Sequence, residues 1–350
     1  MSFYISNFSD SVNLMLGYIK TYFAVASVLL TSVGALNFAV DPLWYRRGNR
    51  LTGVNVPFNE RLTKTNRLLN SDIEKYDCLI FGSSRLTLLD TKALKKNNCF
   101  NYAFAAGTAE EFAEYAKFAR DIGVNPQKVY VGIDAFNFKF TIDDKNMAFK
   151  EEVEVPEPQP MYQSYLFSFD SLKFSINTLI GRFPLERAYN QYFKGTVLEL
   201  SYSYNPKFVT TKSQKKCDFS RVASYQKIRE TFPNAEIIGY VAPISPWENF
   251  NQSYAKGLLD CQLQGIHESS RHFNETYDFS YPSKVTKNTN YTYDGSHYYP
   301  YVHERIARIL EGENSQFGIR VNQVSLQEYQ ELHRSKLKTF VKQQGKSHLW

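Results

Sequence analysis

The fold of this chain is decided by the stretch Asp77-Cys78-Leu79-Ile80-Phe81-Gly82-Ser83-Ser84-Arg85. A short apolar run stops abruptly at Gly-Ser-Ser, a pattern typical of a buried strand that turns sharply into a helix. The turn places a serine at the carboxyl end of the strand. In open parallel sheets, ligand sites form at this edge.

The same strand pattern recurs along the 350 residues, at Val129–Ile133 and Glu236–Val241. Helical patterns lie between and after these runs, at Ala109–Asp121, Ser220–Thr231 and Tyr254–Phe273. Alternating strands and helices are typical of a parallel sheet with helices on both faces. The sequence therefore predicts an α/β domain with Ser84 at the carboxyl edge of its sheet.

About two hundred residues after the serine comes Tyr293-Asp294-Gly295-Ser296-His297-Tyr298, before a helix that Pro300 opens. Serine, aspartate and histidine together make an activated nucleophile, in which histidine takes the hydroxyl proton and aspartate orients the imidazole. Each motif is weak alone, because a serine after a strand is usually a turn or cap residue and Asp294 could simply cap its own turn.

In their order and context, these blocks resemble the SGNH hydrolase family, also called GDSL-like, and in particular its membrane-anchored members in bacterial cell-envelope acyl transfer. The resemblance runs over residues 75–312. It implies a three-layer, flavodoxin-like parallel sheet, with Ser84 as nucleophile, His297 as general base and Asp294 as its partner. Ser83 replaces the aspartate that usually precedes the nucleophile.

The resemblance also implies an oxyanion hole, and here the chain departs from the family pattern. Gly107, in Asn101–Gly107, is the expected backbone donor. Asp134 stands where the family has an asparagine, and an ionised carboxylate cannot donate a hydrogen bond. Three alternatives follow: Asp134 is protonated, Asn137 replaces it, or the hole is incomplete.

An apolar run from Tyr22 to Val40 carries no charge and is just long enough to cross a bilayer core of about 30 Å. We expect a transmembrane anchor at residues 22–40, preceded by a segment at 1–21, and the alternative is a buried core helix. Three arginines (Arg46, Arg47 and Arg50) follow the run, and by the positive-inside tendency they place the large domain in the cytoplasm. The family resemblance implies the opposite side.

Beyond the anchor we expect a connector at 41–74, with a helix at Asn59 to Asn70, and an insertion at about 138–215. Its aromatic-rich part, Tyr162 to Phe174, is predicted to pack above the site. A tail at 313–350 is predicted to carry a surface helix from Val324 to Phe340.

The formal net charge of +6 is modest, and the Lys and Arg residues are scattered along the chain. A nucleic-acid surface would need a larger basic face, so nucleic acid is not an expected partner. The four cysteines (Cys78, Cys99, Cys217 and Cys261) show no metal-ligand spacing, and no cofactor motif is present. Cys78 is interpreted as a small apolar residue of the buried strand. Disulfides are compatible with an extracytoplasmic domain, but spacing cannot pair the cysteines.

The expected function is that of a membrane-anchored serine esterase or O-acyltransferase acting on an acylated cell-envelope glycan. The resemblance implies a single-pass protein of the bacterial inner membrane with a periplasmic domain, in contact with membrane lipid and with an acyl-donor protein of the membrane. The alternative is an inactive relative, a scaffold or glycan-binding subunit, which Asp134 favours.

Overall fold

A computed structural model of the chain describes residues 2–46, 48–56, 59–140, 165–181, 187–190, 195–197, 203–210 and 216–350. The helices are α1 Ser2–Val40, α2 Glu60–Leu69, α3 Ala109–Asp121, α4 Phe169–Leu179, α5 Val222–Thr231, α6 Pro246–Asn249, α7 Leu259–Ser270, α8 Pro300–Leu310 and α9 Leu326–Gln343. The strands are β1 Val54–Asn55, β2 Cys78–Phe81, β3 Cys99–Asn101, β4 Lys128–Gly132, β5 Lys139–Phe140, β6 Arg187–Asn190, β7 Gly195–Val197, β8 Lys216–Cys217, β9 Glu236–Val241, β10 Glu275–Asp278 and β11 Ile319–Arg320.

A central sheet carries the strands in the order β11-β10-β9-β4-β2-β3. Strands β3, β2, β4, β9 and β10 run parallel, and β11 pairs with β10 in the antiparallel direction. The three runs predicted as strands correspond to β2, β4 and β9. The α/β class and the mostly parallel sheet are therefore confirmed.

Residues of β2 alternate between two apolar clusters. Leu79 and Phe81 share one cluster with Phe112 of α3, whereas Ile80 shares the other with Ile306 of α8. Successive side chains of a strand point to opposite faces, so β2 is covered from both sides. This burial explains why β2 is an unbroken apolar run rather than an alternating one.

Helix α1 joins the predicted 1–21 segment and the predicted anchor into one helix, which ends at Val40, before Asp41-Pro42. Its part Leu14–Val40 contains an 18-residue window with a mean hydropathy of 1.9 and is long and apolar enough to cross a membrane. The same length and composition also suit a signal sequence. The prediction of one apolar N-terminal helix is confirmed at this level.

The connector packs against the domain instead of running free of it. The helix predicted at Asn59 to Asn70 is α2, and the N–H of Leu62 in its first turn donates to the Asn59 side chain. The buried Glu60 carboxylate accepts the N–H of Ala105, and the buried Lys64 amine donates to the carbonyl of Ala103. Helix α2 therefore fixes the turn that follows β3.

The aromatic-rich part of the insertion lies elsewhere than expected. Its Tyr165 hydroxyl lies 2.9 Å from the carbonyl oxygen of Asn37 and 2.7 Å from the carboxylate of Asp41. This part therefore packs against the end of α1. Local sequence patterns do not predict such a long-range contact. Tyr162, at the start of the predicted segment, lies outside the described residues.

Cys78 is buried in an apolar cluster, as expected, and the pairing that spacing left open is now defined. Strand register places Cys78 directly opposite Cys99 on the neighbouring β3, and the two form a disulfide with their Cα atoms 4.2 Å apart. A second disulfide joins Cys217 of β8 to Cys261 of α7, with their Cα atoms 5.9 Å apart. Parallel pairing brings together residues 21 positions apart, which spacing alone could not reveal.

Candidate active site

Ser84 lies in the turn after β2, at the carboxyl edge of the sheet. The turn is tight: the N–H of Leu86 donates to the carbonyl of Ser83 at 2.9 Å. A Cβ on Gly82 would lie 2.7 Å from the Leu86 side chain, and a Cβ on Gly132 would lie 3.1 Å from Gly82 Cα. Glycine at both positions lets the ends of β2 and β4 approach each other closely.

Three side chains predicted from the sequence meet at this turn in hydrogen-bonding order. The Oγ atom of Ser84 lies 2.8 Å from Nε2 of His297, and Nδ1 of His297 lies 2.6 Å from Oδ2 of Asp294. A carboxylate only accepts hydrogen bonds, so Nδ1 carries the ring proton and Nε2 is left to accept from the serine hydroxyl. This is the arrangement that a serine nucleophile and its general base require.

The Asp294 carboxylate is held in its ionised form. Burial alone raises the pKa of Asp294, but the hydrogen bond and charge of His297, with backbone N–H groups, outweigh burial and lower it. The N–H groups of Ser296 and His297 donate to Oδ1 at 2.8 and 2.7 Å. One oxygen of Asp294 therefore orients the imidazole, and the other holds the backbone of the loop that carries His297.

The positive φ of +82° at Gly295 allows that loop to fold back tightly. A Cβ there would lie 2.2 Å from the Tyr204 hydroxyl. Tyr204 in turn lies 2.7 Å from the Ser245 hydroxyl, and the N–H of Ser245 donates to the carbonyl of Gly295. Tyr204, which no sequence signal pointed to, thus packs on the loop that carries His297.

Two buried histidines near the sheet, His303 and His333, have structural partners. His303 is buried, with Nδ1 3.2 Å from the Tyr240 hydroxyl. Burial, and secondarily the nearby charge of His297, lower the pKa of His303 to about 3, so the ring is neutral at neutral pH. His333 pairs with Asp278 in the interior. These contacts leave His297 as the histidine that reaches Ser84.

Asp134 does not face the site as a hydrogen-bond donor. It follows β4 and is 1% exposed, and its Oδ1 accepts from the Arg85 guanidinium at 2.9 Å. Arg85 also donates through Nε to the Ser296 hydroxyl at 3.0 Å. The residue after the predicted nucleophile therefore ties the end of β4 to the histidine loop. The sequence motifs assign no role to Arg85. Its positive charge directly after Ser84 is the only feature of the sequence that could have pointed to these contacts.

The other two predicted oxyanion residues have partners of their own. The N–H of Gly107 donates to the Phe104 carbonyl at 3.2 Å, closing a turn in which Ala106 has a positive φ of 53°. The Asn137 amide donates to the Tyr225 hydroxyl at 3.1 Å. Neither of these two hydrogen bonds involves Ser84.

A cavity of about 270 Å³ is lined in part by the sequence neighbours of two triad residues, Arg85 after Ser84 and Ser296 before His297. Its wall includes Arg85, Phe136, Glu248, Gln252 and Ser296. A larger cavity, about 640 Å³, lies among Lys75, Lys95 and Cys99 at the amino ends of β2 and β3. That cavity is at the opposite edge of the sheet from Ser84, so the smaller one is the better candidate for a substrate pocket.

No model of a known protein family matches the chain, and no curated protein does. Among solved structures, the chain is similar to one from Streptococcus pneumonia described as a proposed platelet activating factor. The two are 12% identical with a TM-score of 0.34, over 82% of this chain and 97% of the other. A similarity at this level carries no argument about fold or activity.

Proposed function

We propose that the chain is a membrane-anchored serine esterase or O-acyltransferase of the SGNH kind. The observation that carries the proposal is the unbroken series of hydrogen bonds from Asp294 through His297 to Ser84. Strand order supports the corresponding fold: numbered along the chain, the five parallel strands lie in the order 2-1-3-4-5, that of flavodoxin-like sheets.

In this mechanism Oγ of Ser84 attacks the carbonyl carbon of an acyl ester while Nε2 of His297 takes the hydroxyl proton. His297 then passes that proton to the leaving alcohol, and the acyl group stays on Ser84. Water or a sugar hydroxyl, deprotonated by His297, then attacks the acyl carbon. The bond to Oγ of Ser84 breaks, the acyl group leaves on the attacking oxygen, and His297 returns the proton to Oγ. Asp294 holds the ring and stabilises its charged form throughout.

Arg85 supplies positive charge beside the nucleophile in this proposal. Its guanidinium is fixed on one side by Asp134 and on the other by Ser296, both within 3.0 Å. A fixed charge costs no reorganisation when negative charge develops on the tetrahedral intermediate. Asp134 then acts as a positioning residue, which would explain a carboxylate where the family has an asparagine.

The proposed substrate is an acylated glycan or a similar envelope polymer near the membrane. The cavity beside the triad offers Arg85, Glu248 and Gln252, side chains that suit a hydroxyl-rich acceptor better than an apolar one. An acyl-donor protein of the membrane is a further proposed partner, taken from the family resemblance.

We place the large domain on the extracytoplasmic side of the bacterial inner membrane. Both cysteine pairs are disulfide-bonded, a state that persists in oxidising compartments and is rare in the cytoplasm. The arginines after α1 favour the other side by the positive-inside tendency. A reporter enzyme fused after Trp350, active only when exported, distinguishes the two orientations.

A non-catalytic role remains the second candidate, and one observation favours it. The Gly107 N–H, the Oδ1 atom of Asp134 and the Asn137 amide each form a hydrogen bond to a neighbouring group in the protein. A scaffold or glycan-binding subunit would need no oxyanion hole. The triad geometry argues against this reading, since binding alone does not require a serine hydroxyl paired with an imidazole.

Hydrolysis of p-nitrophenyl acetate by the full chain in detergent separates the two candidates. We expect turnover that Ser84→Ala abolishes, and in the presence of oligosaccharide acceptors we expect acetylated sugar by mass spectrometry. Ser83→Ala is the matched control and should keep most of the activity. Background hydrolysis in both wild type and Ser84→Ala, with folded protein, would favour the non-catalytic role.

A further inference from the structure

Helix α4 has an inverted distribution of side chains. Its small polar residues Ser171, Ser175 and Thr178 are buried, at 1%, 0% and 4% exposure. Several of its large apolar residues are exposed, with Phe169 at 77% and Ile176 at 43%, whereas Phe174 packs partly against a small buried cluster. A surface helix of a protein in water normally shows the reverse pattern. The arrangement suits a helix whose outer surroundings are apolar.

The buried face of α4 packs on the end of α1. The Ser175 hydroxyl donates to the Asn37 side-chain carbonyl at 2.8 Å, and the Asn37 amide donates to the carbonyl of Leu166 at 2.9 Å. A Cβ on Gly34 would lie 2.9 Å from the Phe167 ring. Small residues and interhelical hydrogen bonds of this kind are how helices associate in membranes.

The exposed face of α4 is continuous with the apolar surface of α1. Gly34 and Asn37 belong to the part of α1 that is long and apolar enough to cross a membrane. Outside α1, and within the described residues, the large exposed apolar side chains are concentrated here. They are Phe167, Phe169, Ile176, Leu179 and Ile180, with Leu51, Val209 and Tyr301 elsewhere.

We infer that α4 is an interfacial helix that lies in the lipid beside the end of α1. Its 11 residues are about 16 Å long, too short to cross a bilayer core of about 30 Å. Its apolar face therefore rests at the boundary between headgroups and acyl chains. Lys173, exposed on the same helix, has a side chain long enough to reach the headgroups.

Two arginines near the end of α1 are placed where lipid headgroups would lie if α4 rests at the membrane interface. Arg46 and Arg50 lie over the ring of Phe38, with their guanidinium carbons 4.5 and 5.5 Å from its centroid. Guanidinium groups at this level can pair with lipid phosphates. Lipid is the occupant favoured over a second copy of the chain, because the apolar face continues onto a helix that itself fits a bilayer.

Two attachments orient a domain more firmly than one tether. With α1 and α4 both in the membrane, the domain cannot turn freely about the end of α1. The inference shares with the proposed function only the placement of α1 in a bilayer, and it needs no catalytic activity.

The test is a depth measurement on the full chain, disulfides intact, in vesicles of phosphatidylcholine and phosphatidylglycerol. An environment-sensitive fluorophore is attached at Ile176→Cys, with Phe169→Cys as a second position in the same face. Leu29→Cys reports on α1, and Val209→Cys is the matched control, an exposed apolar residue of another surface. Brominated lipid and aqueous iodide serve as the two quenchers.

We expect the labels on α4 to be quenched by brominated lipid and at least about threefold less by iodide than the label at Val209→Cys. Iodide quenching on α4 equal to that at position 209, with Leu29→Cys in lipid, would place α4 in water. Shielding from both quenchers would indicate a protein partner such as a second copy. Either result overturns the inference, while hydrolysis by Ser84 is measured separately.

Discussion

Two aspartate–histidine pairs in this molecule have the same chemistry and different surroundings. In one, His297 binds Asp294 at 2.6 Å, with the two side chains 19% and 42% exposed. In the other, His333 binds Asp278 at 2.8 Å, and both side chains are at most 1% exposed. The first pair joins residues three apart on one loop, whereas the second joins β10 to α9.

The third partner separates the two pairs further. His297 presents its remaining ring nitrogen to Ser84. In the buried pair, Asp278 also accepts from the Tyr329 hydroxyl, and Nδ1 of His333 makes no hydrogen bond within the described part of the chain. The pair of His297 and Asp294 can therefore pass a proton to and from Ser84. The pair of His333 and Asp278 instead stabilises the packing of α9 against the sheet.

The largest effect is expected from His297→Asn. Loss of the general base should lower the esterase rate about 10³- to 10⁴-fold. The thermal midpoint should change little, because the side chain is partly exposed on a loop. Initial rates and a melting curve on the same preparation check both parts. A variant that keeps its rate would show that the exposed pair is not catalytic.

The next largest effect is expected from the buried pair, where a substitution should lower stability and leave the esterase rate nearly unchanged. Asp278→Asn or His333→Asn leaves a buried polar partner uncompensated and should destabilise the fold by about 3–5 kcal/mol. Activity per folded molecule should stay near wild type. Denaturant unfolding with rates measured below the transition checks this. Lost activity in fully folded protein would mean that the two pairs are coupled.

A smaller effect is expected at Arg85. Arg85→Gln removes the fixed charge and should lower kcat about 10²-fold with less change in KM. Asp134→Asn should lower kcat less, about tenfold, because Arg85 stays but loses its anchor. Rates as a function of substrate concentration check the split. A gain of activity in Asp134→Asn would instead favour direct donation from position 134.

The smallest effect concerns His303, behind the exposed pair. Its folded pKa, about 3, lies below the unfolded value near 6.5, so its contribution to stability is complete above pH 6.5 and is lost as the pH falls. Between pH 6.5 and 5 the loss should be about 2 kcal/mol. His303→Gln should flatten this slope in unfolding experiments. An unchanged slope would contradict a neutral, buried ring.

The lowered pKa values of Asp278 and Asp294 act further down the pH scale. Burial opposes ionisation in both, but the partner histidines outweigh it. Their stabilisation is present above the unfolded value near 4 and is lost only below it. The window of His303 is therefore distinct from that of the two carboxylates.

Local patterns predicted the elements well. The helix expected at Ala109–Asp121 and the strand at Glu236–Val241 have the observed bounds, because short-range periodicity determines them. The helix expected from Val324 to Phe340 is α9, which buries one face, including Tyr329 and Leu337. The order of Ser84 and the Asp294-x-x-His297 loop predicted residues that the structure brings together.

Long-range contacts could not be read in the same way. The Arg85–Asp134 ion pair, the disulfides and the packing of Tyr165 on α1 all join segments far apart in the sequence. Each depends on strand register or on helix docking, which periodicity does not encode. The buried pair of Asp278 and His333, 55 residues apart, could not be predicted for the same reason.

The central claim is that Ser84, and not its neighbour Ser83, is an activated nucleophile. Labelling of the full chain with a fluorophosphonate, followed by peptide mass spectrometry, tests it directly. We predict one modified residue, Ser84, with labelling lost in Ser84→Ala and His297→Asn and kept in Ser83→Ala. Folded protein that takes up no label at Ser84, or that labels equally well in His297→Asn, would contradict the account.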